Sequence, residues 1–132
     1  MKRMISIVLA MVCFLFAAGQ DSKRESRKNL TIKEWKTPAR GGARHLDHVT
    51  RYDANGRKVE EIEYSQSGLK ARCTYEYDES GRKTREVLYD ENNKAYRIRK
   101  FEYNPDGTKK RQLNYTAKGV LVSIKEFEYI AK

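Results

Sequence analysis

The chain is poor in the residues that most often carry chemistry. Its 132 residues include two histidines, two cysteines, two prolines and one tryptophan. Cys13 lies in the leading apolar segment, which leaves Cys73 for the rest of the chain. One thiol closes no internal disulfide, so Cys73 reads either as a small buried apolar residue, the favoured reading, or as a reactive or intermolecular thiol. There is no Gly-x-Ser-x-Gly, no phosphate-binding loop and no paired cysteine motif. His45 and His48 flank Asp47 and could in principle hold a metal with it. On a strand, however, a spacing of three puts the two rings on opposite faces. They read as surface and turn residues of a first strand, and no cofactor or metal is expected.

Carboxylates are plentiful but not arranged for acid–base work. Glu63, Glu76, Glu102, Glu126 and Glu128 alternate with aromatic positions and point away from them, as a solvated sheet face paired with Lys and Arg would. A glycosidase needs two carboxylates flanking a cleft, and a sheet this small has little depth for one. The sequence therefore points away from an enzyme. A hydrolase with an unrecognised site is the least favoured reading.

Long hydrophobic runs are also lacking, with one exception. Ile5 to Phe16 is continuously apolar, preceded by Lys2 and Arg3 and followed by Ala17-Ala18-Gly19. Twelve residues are short for a membrane span, which needs about 20, but suit a secretory signal. Cleavage is expected near Gly19–Gln20. The residues before Cys13 match a lipoprotein site poorly. Residues 1–19 are thus read as a signal peptide, and the protein as exported, to the periplasm or the cell exterior, with no membrane span after cleavage.

The formal net charge is +10. Loss of residues 1–19 removes two of the 28 basic residues and none of the 18 acids, leaving +8. Residues 20–44 hold 8 basic and 3 acidic side chains, so most of the excess sits in a leading segment. Nucleic-acid binding wants a basic face on the folded domain, and export argues further against it. Residues 20–44 read as a basic leader or linker. Within it, Leu30, Ile32 and Trp35 alternate as a strand would, so residues 29–36 are expected to form a further strand or a patch packed on the sheet. Pro38, Gly41 and Gly42 then mark a loop.

Residues 45–132 carry a repeat. Tyrosines at 52, 77, 103 and 129 step by 25 to 26 residues, with Tyr64, Tyr89 and Tyr115 between them. A fixed period of this size marks repeated supersecondary units. A turn follows each of the first six tyrosines: Asp53-Ala54-Asn55-Gly56, Ser65-Gln66-Ser67-Gly68, Asp78-Glu79-Ser80-Gly81, Asp90-Glu91-Asn92-Asn93, Asn104-Pro105-Asp106-Gly107 and Thr116-Ala117-Lys118-Gly119. The first residue always has a side-chain oxygen that can hold a turn, and the last is Gly or Asn, which tolerate positive φ. Between turns an apolar residue sits two before each tyrosine from Tyr64 onward, as in Val87-Leu88-Tyr89 and Phe101-Glu102-Tyr103. That spacing puts both on one face of a strand. Short turns make successive strands antiparallel neighbours. The fold expected is all-β: an antiparallel meander of about seven to eight strands built from tandem hairpins, open or curled.

Strict alternation places Lys83 and Arg85, Arg97 and Arg99, Lys109 and Arg111, and Lys125 on the face of the tyrosines. Tyr77 should neighbour Lys83 or Arg85, Tyr89 should neighbour Arg97, and Tyr103 should neighbour Lys109. Such stems can lie over rings, contributing roughly 0.5–1 kcal/mol each when exposed. The candidate ligand-binding set is Tyr77, Arg85, Tyr89, Arg97, Arg99, Tyr103, Lys109 and Arg111. The plainer reading is that the tyrosines form cross-strand ladders.

The runs Tyr75-Glu76-Tyr77-Asp78-Glu79-Ser80-Gly81-Arg82 and Arg51-Tyr52-Asp53-Ala54-Asn55-Gly56-Arg57 resemble the YD repeat of Rhs and teneurin-like proteins. Phe101 to Lys109 is a weaker copy, with Asn104 and Thr108 in place of Asp and Arg. The chain also resembles small secreted proteins of uncharacterised function from Bacteroides-like bacteria. The resemblance implies exported, repetitive β-structure used as a shell, spacer or binding surface. The repeats are too few to close a shell, and the shared residues are turn formers, so they carry structure and no site. Two functions follow as expectations. One is an exported, non-enzymatic interaction module that binds an envelope polymer or partner protein through an aromatic and basic sheet face. The other is a structural repeat that assembles with itself as a homo-oligomer.

Overall fold

The computed structural model of the protein describes residues 23–132, so the expected signal peptide and its cleavage site lie outside the described residues. Eight strands follow one another in a single antiparallel sheet: β1 (Thr31–Lys36), β2 (His45–Tyr52), β3 (Lys58–Ser65), β4 (Gly68–Tyr77), β5 (Lys83–Tyr89), β6 (Ala95–Tyr103), β7 (Lys109–Tyr115) and β8 (Leu121–Glu126). Spatial order equals chain order throughout, which makes the sheet a meander. One helical turn at residues 23–26 leads into it. Each strand touches only its sequence neighbours, so the sheet stays open, with β1 and β8 as its edges.

Five of the six turns share one hydrogen-bond scheme. In the first, the Gly56 amide donates to the Asp53 carbonyl and the Asp53 amide to the Arg57 carbonyl. Asp53 Oδ1 accepts from the amides of Asn55 and Arg57 at 2.8 and 3.0 Å, so a short acid at the first position braces the loop from inside. The turns at Asp78, Asp90, Asn104 and Thr116 repeat the backbone pair. Their last residue has positive φ, +87° at Gly81 and 59° at Asn93, which is why Gly or Asn stands there. The turn after Tyr64 departs from this scheme. Ser65 pairs directly with Gly68, leaving a two-residue loop, Gln66-Ser67.

One irregularity recurs and reorganises both faces. Every strand pair slips register by one residue beside its terminal aromatic, between Glu76 and Tyr77 for β4–β5 and between Glu102 and Tyr103 for β6–β7. Tyr77 pairs with Lys83 but Glu76 pairs with Arg85, so Thr84 is an extra residue. A bulge of this kind breaks the strict alternation of side chains. Two consequences correct the sequence reading. Lys83 shares the face of Tyr77, whereas Arg85 is carried to the opposite face; Lys109 and Arg111 are separated in the same way. Tyr89 pairs with Ala95, and Arg97 with Leu88, so Arg97 is not the neighbour of Tyr89. The tyrosines themselves alternate. Tyr52, Tyr77 and Tyr103 lie on what is termed here the front face, and Tyr64, Tyr89 and Tyr115 on the back.

Among the described residues, none forms a layer over either face. Only Val49, Val87 and Phe101 among the described residues are buried apolar residues, and no large side chain is fully buried. Residues 31–36 add a strand to the sheet instead of lying across it. Trp35 is 48% exposed, with the Arg44 guanidinium 4.2 Å from its ring. The three buried polar residues, Thr50, Glu60 and Glu86, are as deeply placed as the apolar ones. Such a sheet must be held by its own cross-strand neighbours, since no second layer among the described residues contributes apolar burial.

Candidate binding face

The front face is built from a unit that repeats with the hairpins. Tyr77 Oη donates to the Lys58 carbonyl at 2.7 Å, Tyr103 Oη to that of Lys83 at 2.6 Å, and Tyr129 Oη to that of Lys109 at 2.9 Å. Tyr77 and Tyr103 thereby tie the end of one strand to the start of the strand before it, and Tyr129 ties the chain beyond β8 to the start of β7. The arginines that follow Gly56 and Gly81 complete the tie. Arg57 lies 5.9 Å from the centre of the Tyr77 ring and donates to the Asp78 carbonyl at 3.2 Å. Arg82 lies 5.8 Å from the Tyr103 ring. Arg27, in the lead-in segment, takes the same role on Tyr52 at 5.4 Å. In the Tyr-Asp-x-x-Gly-Arg pattern, tyrosine and arginine thus join successive turns at one end of the sheet, while aspartate and glycine shape each turn. Burial pushes the Tyr77 and Tyr103 hydroxyls above their ordinary pKa, and the carboxylates of Asp53 and Asp78 add to the shift.

Farther along the front face, lysines alternate with rings. Lys83 Nζ lies 4.9 Å from the Tyr75 ring and 5.5 Å from that of Phe101, and Lys109 Nζ lies 4.9 Å from Phe101 on its other side. Carboxylates three residues on balance the first lysines: Lys58 bonds Glu61, and Lys83 bonds Glu86 at 2.5 Å. Burial opposes charge on Glu61, but hydrogen bonds from Lys58 and Tyr75 outweigh it and hold the carboxyl below its usual range. In the third repeat this position is Gln112, and Lys109 has no ion partner among the described residues. Front-face acid therefore thins out toward β8.

That gradient ends in an open cleft of about 380 Å³ across β6, β7 and β8, lined by Arg97, Arg99, Gln112, Asn114, Val122, Ser123 and Lys125. It holds three cations and no carboxylate. The nearest acid is Glu86, 3.4 Å from Arg99 Nη1. Amide and hydroxyl groups fill the spaces between the cations, and Asn114 donates to Ser123 Oγ at 3.0 Å.

The eight candidate residues do not share one face. Tyr77, Arg97, Arg99, Tyr103 and Lys109 lie on the front; Arg85, Tyr89 and Arg111 lie on the back. On the back, Arg111 is engaged by Glu102 at 2.6 Å, and Arg85 faces Glu76 at 3.4 Å. The Tyr89 ring is covered by Arg72 at 4.3 Å, and Lys100 covers that of Tyr115 at 5.3 Å. Arg72 also bonds Glu60, which bonds Arg51, forming a triad on the buried acid. Sequence reading missed Arg57, Arg82, Arg72 and Lys100 as ring partners. For Arg57 and Arg82 the signal was present, since an arginine follows the turn glycine in two successive repeats. For Arg72 and Lys100 there was none without the register.

The remaining chemistry is modest. The bulge at Asp47 returns His45 to the face of His48, against the alternation expected of an unbroken strand. No group of three His, Cys, Asp or Glu side chains gathers to hold a metal among the described residues. Cys73 borders a small front-face hollow of about 160 Å³ with His48, Glu61 and Leu88, and burial pushes its thiol up, away from the reactive thiolate.

No family model matches the chain, and no curated protein does. Among solved structures it is similar to the crystal structure of the GtfA/B complex bound to UDP and GlcNAc, with 12% sequence identity over 72% of this chain and a TM-score of 0.33. The chain spans 20% of the length of that structure.

Proposed function

We propose that the protein is an exported, non-enzymatic interaction module that binds an anionic polymer of the cell envelope along the front of β6–β8. The observation that supports this reading is the cleft between Arg97, Arg99 and Lys125. Three cations gather there with no carboxylate in the lining, although acids partner most front-face cations nearer β3. Arginine and lysine at this spacing suit carboxylate or phosphate groups repeated along a flexible chain. Gln112, Asn114 and Ser123 supply donors and acceptors for hydroxyls between the charges. The Lys83–Phe101–Lys109 stack continues the surface beyond the cleft, so a polymer longer than the cleft still meets rings and cations. The repeat pattern of Rhs and teneurin-like proteins agrees with an exported scaffold of this kind.

The test is affinity for polygalacturonate, with uncharged dextran as control, at rising salt. Binding to the acidic glycan should weaken steadily as salt screens the cations, and dextran should not bind. Arg97→Ala/Arg99→Ala should abolish binding, while Arg85→Ala/Arg111→Ala on the back face should retain it. Equal losses from the two double variants would refute a front-face site.

A further inference from the structure

Among the described residues the meander leaves two edges without a partner strand, and they are complementary. We infer that the β8 edge of one copy pairs antiparallel with the β1 edge of a second copy, continuing the sheet across the junction. The argument rests on the register of the sheet itself. Wherever an even strand meets the odd strand after it, its terminal tyrosine pairs six residues ahead of the aromatic that ends that odd strand: Tyr52 with Lys58 before Tyr64, Tyr77 with Lys83 before Tyr89, and Tyr103 with Lys109 before Tyr115. β1 carries the same marker, because its register slips between Glu34 and Trp35 as that of β3 slips between Glu63 and Tyr64. Tyr129 of one copy therefore falls opposite Asn29 of the next.

This register sets Lys125 opposite Glu34 and Glu126 opposite Lys33. It also sets Phe127 against Ile32 and Ile124 against Trp35. Two opposite-charge pairs form, one on each face, together with two apolar pairs. None of Lys33, Glu34, Lys125 and Glu126 has an ion partner among the described residues. Ile32, Trp35 and Ile124 are 38%, 48% and 46% exposed. A slip of one residue would break both charge pairs and send each apolar side chain to the wrong face. Charges on edge strands ordinarily prevent pairing; at this register they select it. The contact joins two different surfaces, so each added copy presents a fresh edge to the next and association continues beyond two copies.

Sedimentation velocity of the full chain over a concentration series tests this. The weight-average mass should rise with concentration beyond that of two copies. Lys33→Glu alone and Glu126→Lys alone each set like charges face to face, and should raise the concentration needed for a given mass by about tenfold. Lys33→Glu/Glu126→Lys in one chain restores opposite charges at every junction and should recover the original association. Arg97→Ala/Arg99→Ala should associate normally, which separates this contact from polymer binding. A single mass across the series would overturn the inference, as would a mass that stops at two copies or a double variant that stays as weak as either single one.

Discussion

Glu60→Gln measures what holds a sheet that has no second layer. Glu60 is 8% exposed, accepts from Arg72 Nε at 2.7 Å and is ion-paired with Arg51, whose Nε lies 2.8 Å away. The Arg72 side chain is 25% exposed and that of Arg51 54%, so the two bonds are unequal. A charge-assisted bond contributes about 1.5–3 kcal/mol when shielded and about 0.2–1 kcal/mol at the surface. The Arg72 bond should then be worth about 1.5 kcal/mol and the Arg51 bond about 0.5 kcal/mol. Glutamine keeps the shape, removes the charge and turns an amide group toward one guanidinium. The expected loss is about 2 kcal/mol, a large share of the roughly 5–15 kcal/mol that holds most domains folded. At roughly 4 °C per kcal/mol for a domain of this size, Tm should fall by about 8 °C, with the urea m-value unchanged. Glu63→Gln is the matched control. Its side chain is 49% exposed and sits 3.4 Å from Lys70, so it should cost less than about 0.5 kcal/mol. Thermal melts and urea titrations followed by circular dichroism read both. Equal, small effects would refute the view that half-buried ion pairs do the work of a core here.

Other outcomes follow from the same geometry. Tyr103→Phe should cost about 1 kcal/mol in urea unfolding, because it removes the 2.6 Å bond to the Lys83 carbonyl. Gly81→Ala should cost about 1–2 kcal/mol, since φ is +87° and the new methyl would lie 3.2 Å from the Arg57 guanidinium, whereas Asn93→Gly should be within about 0.5 kcal/mol of neutral. The Glu61 carboxyl is held below its ordinary range, so its contribution is complete above about pH 4.3 and is lost as pH falls through its lower folded value; Glu61→Gln should flatten the acid limb of a stability–pH curve and leave the neutral region parallel to wild type. The Cys73 thiol, pushed up by burial, should react with a thiol reagent at pH 8 more slowly in the folded protein than after urea unfolding.

Much of the fold was legible because the turns announce themselves. A polar first residue and a Gly or Asn last residue, after a tyrosine at regular spacing, dictate where the chain reverses, and short reversals leave only the neighbouring antiparallel position for the next strand. The candidate site was legible in part. Arg97 and Arg99 emerge as neighbours on one face because no bulge falls between them. Arg85 and Arg111 were misplaced because each follows an extra residue, Thr84 or Lys110, that no local propensity marks. Lys125 appeared among the basic residues but not as a partner of Arg97, since that depends on two strand pairings in succession.

The sequence by itself determined the hairpins, their order and their direction, because turn chemistry acts over four or five residues and needs no distant partner. The tertiary structure alone decided which side chains share a face, since one extra residue in each strand pair reverses the alternation beyond it. Among the described residues it also left both faces and both edges open, because every strand spends its contacts on its sequence neighbours. A basic cleft and two complementary edges follow from those pairings, and neither can be read from any single strand.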